Sequence, residues 1–302
     1  MPGQDTAHID AALKEVYGPE MPDLINKATP ALDRFLEAKD VEWMGKIYTY
    51  PIKIARSQGV GAYAELGALA TAGRVKTAPV RVPVRYVGWR GQISAQAIEV
   101  SESNRGAWVS ALKLEMDDGI DTLQSDRARA IWGDGRGVLC LVNDTTPSGS
   151  ATVSIDAPGG FAGATNGGRF LNEGMIVAFI NPATGAVRTG IRTVSSVASD
   201  GTTVTFDSAP GSTVAENDYI VRAANTSVTD VADTSYQKDP MGFSGLVDDG
   251  TNVATHFGVN RTTVPLWQST VISNAGPWSA DVAQRAIDLA AQVGGGKIAE
   301  LW

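Results

Sequence analysis

The side chains most often recruited for catalysis or metal binding near neutral pH are scarce in these 302 residues: two histidines, His8 and His256, and one cysteine, Cys140. A zinc site composed of Cys and His needs more ligands than this inventory contains. A nucleophilic triad would have to use His256, in Thr-His-Phe-Gly, and no Gly-x-Ser-x-Gly elbow supplies its partner. His256 therefore reads as a packed side chain, and Cys140, in Val-Leu-Cys-Leu-Val, as a small buried hydrophobe. Gly294-Gly-Gly-Lys297 carries the lysine of a phosphate loop, but Ala291 stands where that pattern needs glycine and Ile298 where it needs Ser or Thr. Gly133-Asp-Gly-Arg-Gly137 follows a helical pattern, at the end of the helix dipole that repels anions, and reads as a chain reversal. Asp117, Asp118 and Asp121 make an acidic helix face and no acid/base pair. No enzyme activity, cofactor or metal is expected.

The elements that must position whatever this chain does are clearer. Apolar residues make up 43% and charged residues 19%, the balance of an ordinary soluble chain of roughly one to three domains. No 18-residue apolar run and no basic-then-apolar leader occurs, so no membrane span and assembly in a cytosol are expected. Residues 5–17 and 23–39 suggest helices, the second interrupted by Pro30. From 45 to 98 two β-branched, alternating stretches flank a small-residue stretch, predicting a two-stranded ribbon; Val80, Val82 and Val84 share one face, Arg81 and Arg85 the other. Pro51, Pro79 and Pro83 fall inside these strands and demote them to edge strands or bulged ones.

Residues 104–132 predict a long helix with Trp108, Leu112, Met116, Ile120 and Leu123 as one apolar stripe. Gly119 marks close packing within it, and Gly133 is placed as the C′ residue. From 144 to 225 there is neither lysine nor tryptophan. Short β segments at 151–156, 175–180, 187–197, 202–207 and 218–223 alternate with turn clusters, predicting a small antiparallel barrel or sandwich inserted at 144–230. Mixed α/β character is expected over 236–247 and an amphipathic helix over 279–293, with Val282, Ala286, Ile287 and Leu289 on its apolar side.

Charge divides along the same boundaries. The net charge is −8 overall, from 25 bases and 33 acids, which argues against a protein that coats nucleic acid. Residues 46–98 hold eight bases (Lys46, Lys53, Arg56, Arg74, Lys76, Arg81, Arg85, Arg90) and one acid, Glu65, net +7; the remainder is net −15. Three readings fit a basic ribbon on an acidic body. It binds nucleic acid, although little aromatic interleaving accompanies it; it lies on the acidic surface of another copy; or it is a solvated edge kept basic against strand pairing. The second is favoured.

An acidic helical arm, a basic extended hairpin, a long helix and then Gly-Asp-Gly-Arg-Gly occur in that order, and over 20–143 this resembles the major capsid proteins of tailed bacteriophages with the Hong Kong 97-like fold. Gly45-Lys46 leading into Tyr-Pro-Ile-Lys-Ile looks like the rising strand of that family's E-loop, Ala64-Glu-Leu-Gly-Ala-Leu like its tip, and 78–94 like its returning strand. Residues 104–132 resemble the spine helix of the P-domain, and Gly258-Val-Asn-Arg, Val264-Pro-Leu-Trp and the 279–293 helix resemble the approach to the A-domain. The resemblance implies an α+β chain with an N-terminal arm at 1–44, an E-loop hairpin at 45–98, a P-domain at 99–143, an inserted all-β barrel-like domain at 144–230, and P/A-domain residues from 231 to 302. Family members continue past the point matching Trp302 through further A-domain strands, so either this variant is short or the sequence is truncated there, and truncation is favoured.

The activity implied is structural: self-assembly in the host cytoplasm into hexamers and pentamers of an icosahedral virion shell. That shell would enclose double-stranded DNA through weak, non-specific contact, with portal, scaffold and decoration proteins as further partners. The interface residues expected are Lys53, Arg56, Arg74, Lys76, Arg81 and Arg85 on the ribbon, and Asp117, Asp118 and Asp121 on the helix. A different virion part, such as a tail-tube or decoration protein, is the alternative.

Overall fold

The computed structural model describes residues 45–96, 111–272 and 275–294. The helices expected over 5–17 and 23–39, the start of the 104–132 helix and the stretch around Lys297 lie outside them. The described residues fall into two compact units, one holding Gly88–Arg127, the other 45–87 and the described residues from Ala128 onward.

Two strands, β1 (Ile47–Ala55) and β2 (Lys76–Pro83), form the ribbon, and helix α1 spans Ala111–Trp132. Within the first unit Gly119 marks close packing, as its place in the helix suggests: a Cβ there would lie 2.5 Å from the Trp89 ring. The apolar stripe is not used as core along its length, since Met116 and Ile120 are each 53% exposed.

The helix stops at Trp132, but Gly133 is not the left-handed C′ residue expected of it. Its N–H closes a tight turn onto the Ala130 carbonyl (3.1 Å), and the left-handed backbone falls to Gly135 (φ +82°) and Gly137 (φ +73°). Buried Asp134 holds this reversal by accepting the Arg136 N–H (3.0 Å) and its guanidinium. Arg136 in turn donates to the Tyr219 hydroxyl (2.7 Å). Gly137 permits a close approach, because a Cβ would lie 2.2 Å from the Ser235 carbonyl oxygen.

Beyond the reversal, six antiparallel strands close a barrel in the order β3-β4-β7-β6-β5-β8. They are β3 (Val138–Val142), β4 (Thr152–Asp156), β5 (Ile176–Ile180), β6 (Arg192–Val197), β7 (Thr203–Phe206) and β8 (Tyr219–Arg222). Four of the five expected segments match strands to within a residue at either end. The 187–197 segment is shorter, Val187 being joined only by a single bridge to Ile180. The barrel also draws in β3, which lies outside 144–230. β3 pairs with β4 on one side and β8 on the other, and is buried on both faces, so its sequence is a continuous apolar run without alternation. Leu139, Val153, Ile155, Phe179, Val204 and Ile220 belong to the cluster that fills the barrel, where the Phe179 and Phe206 rings meet edge to face at 5.6 Å. Cys140 is fully buried in the same cluster; burial, with the charge of Asp156, pushes its thiol well above the ordinary range.

Among the described residues, 236–247 contains no strand, only the short helix α2 (Phe243–Leu246). Asp239, Phe243 and Ser244 in this stretch meet the end of α1. Asp239 accepts from Arg129 (2.6 Å), Ser244 Oγ donates to the Trp132 carbonyl (2.6 Å), and the Phe243 and Trp132 rings lie 5.5 Å apart. A two-strand hairpin, β9 (Thr255–His256) and β10 (Val259–Asn260), follows. Helix α3 (Ala280–Gly294) is capped by Ser279, whose Oγ accepts the Val282 N–H (3.3 Å). Val282, Ala286, Ile287 and Leu289 are half-buried, and Asp281, Gln284, Arg285 and Asp288 exposed.

Candidate subunit interface

The ribbon's register follows from where its prolines can sit. Ile47 opposes Pro83, Thr49 opposes Arg81, and Pro51 opposes Pro79, while Tyr48, Tyr50 and Ile52 oppose Val82, Val80 and Ala78. Val84 donates to the Lys46 carbonyl (3.2 Å), which makes 46 and 84 a hydrogen-bonded pair. By alternation the three prolines fall at positions whose N–H would point away from the partner strand. Arg81 shares that outward set, and its N–H is taken by the Phe257 carbonyl at 2.9 Å. The outer edge of β2 from Pro79 to Pro83 thus offers no free N–H for another strand to pair with.

The ribbon's two faces differ. Val80 is fully buried where β2 meets the β9–β10 hairpin, and its facing residue Tyr50 is half-buried. The other face carries Thr49, Pro51, Lys53, Thr77, Pro79 and Arg81, all exposed. Lys53 lies in β1, Lys76 opens β2 opposite Ala55, Arg56 and Arg74 flank the strands toward the tip, and Arg85 follows β2. All six expected ribbon bases are exposed, and among the described residues none has an ion-pair partner. Ser57 Oγ donates to the Gly73 carbonyl (2.9 Å) and draws the two sides together below the tip. In the other unit, Asp117 and Asp118 are exposed on α1 and Asp121 is half-buried, so the expected acids form one accessible helix face.

The hairpin at the ribbon's root is held by a buried ion pair that the sequence reading missed. Arg261, 1% exposed, donates Nη1 to Asp248 (3.3 Å) and to the Val253 carbonyl (3.2 Å). Its Nη2 reaches the carbonyls of Gly245 (3.0 Å) and Leu246 (2.9 Å). Asp248 also accepts the backbone N–H groups of Gly250, Asn252 and Val253. Burial alone would raise its carboxyl, but these donors outweigh it and hold the group below the usual carboxylate range. The clasp supports the β9–β10 turn, in which Phe257 (φ +49°) and Gly258 (φ +84°) are both left-handed and Phe257 presents its carbonyl to Arg81. The sequence signal was thin: Asp248-Asp-Gly is a turn, and Arg261 one base in a turn-rich stretch.

His256 sits in the same hairpin as a packed side chain, 3% exposed, with its ring 4.0 Å from Phe257 and 6.0 Å from Trp267. Burial first, then the Arg261 charge, partly offset by Asp248, pushes its pKa down to about 4. Because the folded pKa lies below the ordinary 6.5, acid favours the unfolded chain. The stability owed to neutral His256 is complete above about pH 6.5 and is lost as the pH falls toward and through 4, up to roughly 3 kcal/mol. Denaturant unfolding at pH 7 and pH 4.5 should show this loss in the native chain and a smaller one in His256→Gln; an equal loss in both would remove His256 as its source.

Among the described residues no group of three His, Cys, Asp or Glu could hold a metal ion, and no helix is long and apolar enough to cross a membrane. A shallow barrel cavity of about 240 Å³, lined by Asn166, Arg169 and Asp200 among others, gathers no catalytic set. The Asp200 carboxylate in it serves a turn, accepting the Thr202 N–H at 3.0 Å. Comparison with known protein families, curated proteins and solved structures finds no match to this chain.

Proposed function

We propose that this chain is a structural, shell-forming subunit of a virus head, of the Hong Kong 97-like capsid type, whose basic ribbon lies across a neighbouring copy. The observation that carries the reading is the ribbon: six exposed bases, without ion-pair partners among the described residues, on a β-hairpin whose own edge is already blunted by prolines and by the Arg81–Phe257 bond. Edge protection does not require so much charge, and the chain outside 46–98, at net −15, offers its complement. The exposed acids Asp117 and Asp118 of α1, the open apolar positions Met116 and Ile120, and the Gly-Asp-Gly-Arg-Gly stretch that follows the helix support the same reading. Weak, non-specific contact with packaged double-stranded DNA, and portal, scaffold and decoration proteins as partners, belong to this proposal. The closed six-stranded barrel favours a second reading, a tail-tube or decoration protein built around it. Negative-stain electron microscopy of the purified chain distinguishes them. Shells or capsomers are expected; rings or tubes would indicate the second reading, and a strictly monomeric species at high concentration neither.

A further inference from the structure

The ribbon's tip is apolar where its stem is basic. Between Ser57 and Gly73 the only charged residue is Glu65, and Val60, Leu66 and Leu69 stand 91%, 103% and 77% exposed. The apex is a four-residue turn closed by the Gly67 N–H on the Ala64 carbonyl (2.8 Å). Leu66 occupies its third position with φ +66°. That place in a turn belongs to glycine or asparagine, and a leucine held left-handed is costly and uncommon. Among the described residues nothing repays the cost, because the Leu66 side chain is fully exposed. Strain of this kind clusters at functional positions such as ligand clamps and switch regions.

Resting on the assembly proposed above, we infer that Leu66 is an anchor, presented by a strained turn for burial in an apolar surface of a second copy of this chain. A second copy fits the tip's surroundings better than nucleic acid or lipid does. Phosphates offer no partner to leucine, and Glu65 at the apex repels phosphates and anionic headgroups alike. Lys53, Arg56, Arg74 and Lys76 stand behind the tip, where the acidic body of a neighbour would pair with them.

Leu66→Gly and Leu66→Asn keep the turn while removing the apolar side chain, so neither endangers folding. In the full chain both should raise the concentration needed for assembly, followed by light scattering, roughly tenfold or more. Their melting temperature should equal or exceed that of the native chain, and Leu66→Met should assemble normally. If Gly and Asn variants assemble at the native concentration, the anchor is wrong and the shell proposal stands. If the native chain itself never assembles, that proposal falls and the anchor with it. Native chain that binds phosphatidylcholine–phosphatidylserine vesicles at physiological salt, with binding lost in Leu66→Asn, would assign the tip to a membrane and overturn the second-copy partner.

Discussion

Replacing Arg261 with Met should destabilise the second unit by roughly 3–5 kcal/mol, the cost of breaking a buried charge pair from one side. Arg261 makes four hydrogen bonds with its two terminal nitrogens, and Met makes none of them. The carbonyls of Gly245, Leu246 and Val253 lose a donor, and Asp248 keeps its backbone donors but loses its counter-charge. Arg261→Lys preserves the charge without the planar fork, and should recover only part of the loss. The damage should extend to the ribbon's root. The Arg81 amide, bonded to the Phe257 carbonyl, should exchange with deuterium markedly faster in Arg261→Met, while amides in the barrel strands change less. Urea denaturation reads the first effect and hydrogen exchange the second. An unfolding free energy within about 1 kcal/mol of the native value would mean that the clasp does not hold this region.

The second large effect concerns assembly. Reversing Arg81 and Arg85 to Glu should raise the concentration required for assembly on the order of a hundredfold, because attraction becomes like-charge repulsion at each contact. The subunit itself should be nearly unaffected. Both side chains are exposed, and the one hydrogen bond in which Arg81 meets the β9–β10 hairpin comes from its backbone, which Glu retains. Exposed charge contacts are screened at high ionic strength, so native assembly should weaken as salt rises and the variant should show a flatter dependence. Normal assembly of the double variant at low salt would refute neighbour docking through these residues.

What the sequence made legible is what periodicity and turn chemistry encode. The ribbon, its bases, the stop of α1 at Trp132, the short barrel strands and α3 lie where alternation, helical spacing, glycine and proline place them. What it hid depended on tertiary company. Val138–Val142 reads as an undirected apolar run because β4 and β8 flank it and both its faces are covered, so nothing in its own pattern joins it to the barrel. Val80 looks like any ribbon valine until the β9–β10 hairpin closes over that position. The clasp joins residues 13 apart across turns, a spacing that belongs to no regular element. Leu66 is the sharpest case: a left-handed residue is predicted from Gly or Asn, and leucine announces the opposite. The exposure of the ribbon's bases was legible because surface charge follows from composition and alternation, whereas the ties that orient the ribbon do not.

On the proposal made above, the ribbon's partner is another copy of this chain. Equal amounts of light and heavy-nitrogen chain, assembled together and treated with a zero-length carbodiimide, would test it most directly, since that reagent joins lysine only to a carboxylate in contact. Mixed light–heavy peptide pairs linking Lys53 or Lys76 to Asp or Glu residues outside 46–98 are expected. Linkages at these lysines found only within single copies, in a sample that has assembled, would contradict the proposal.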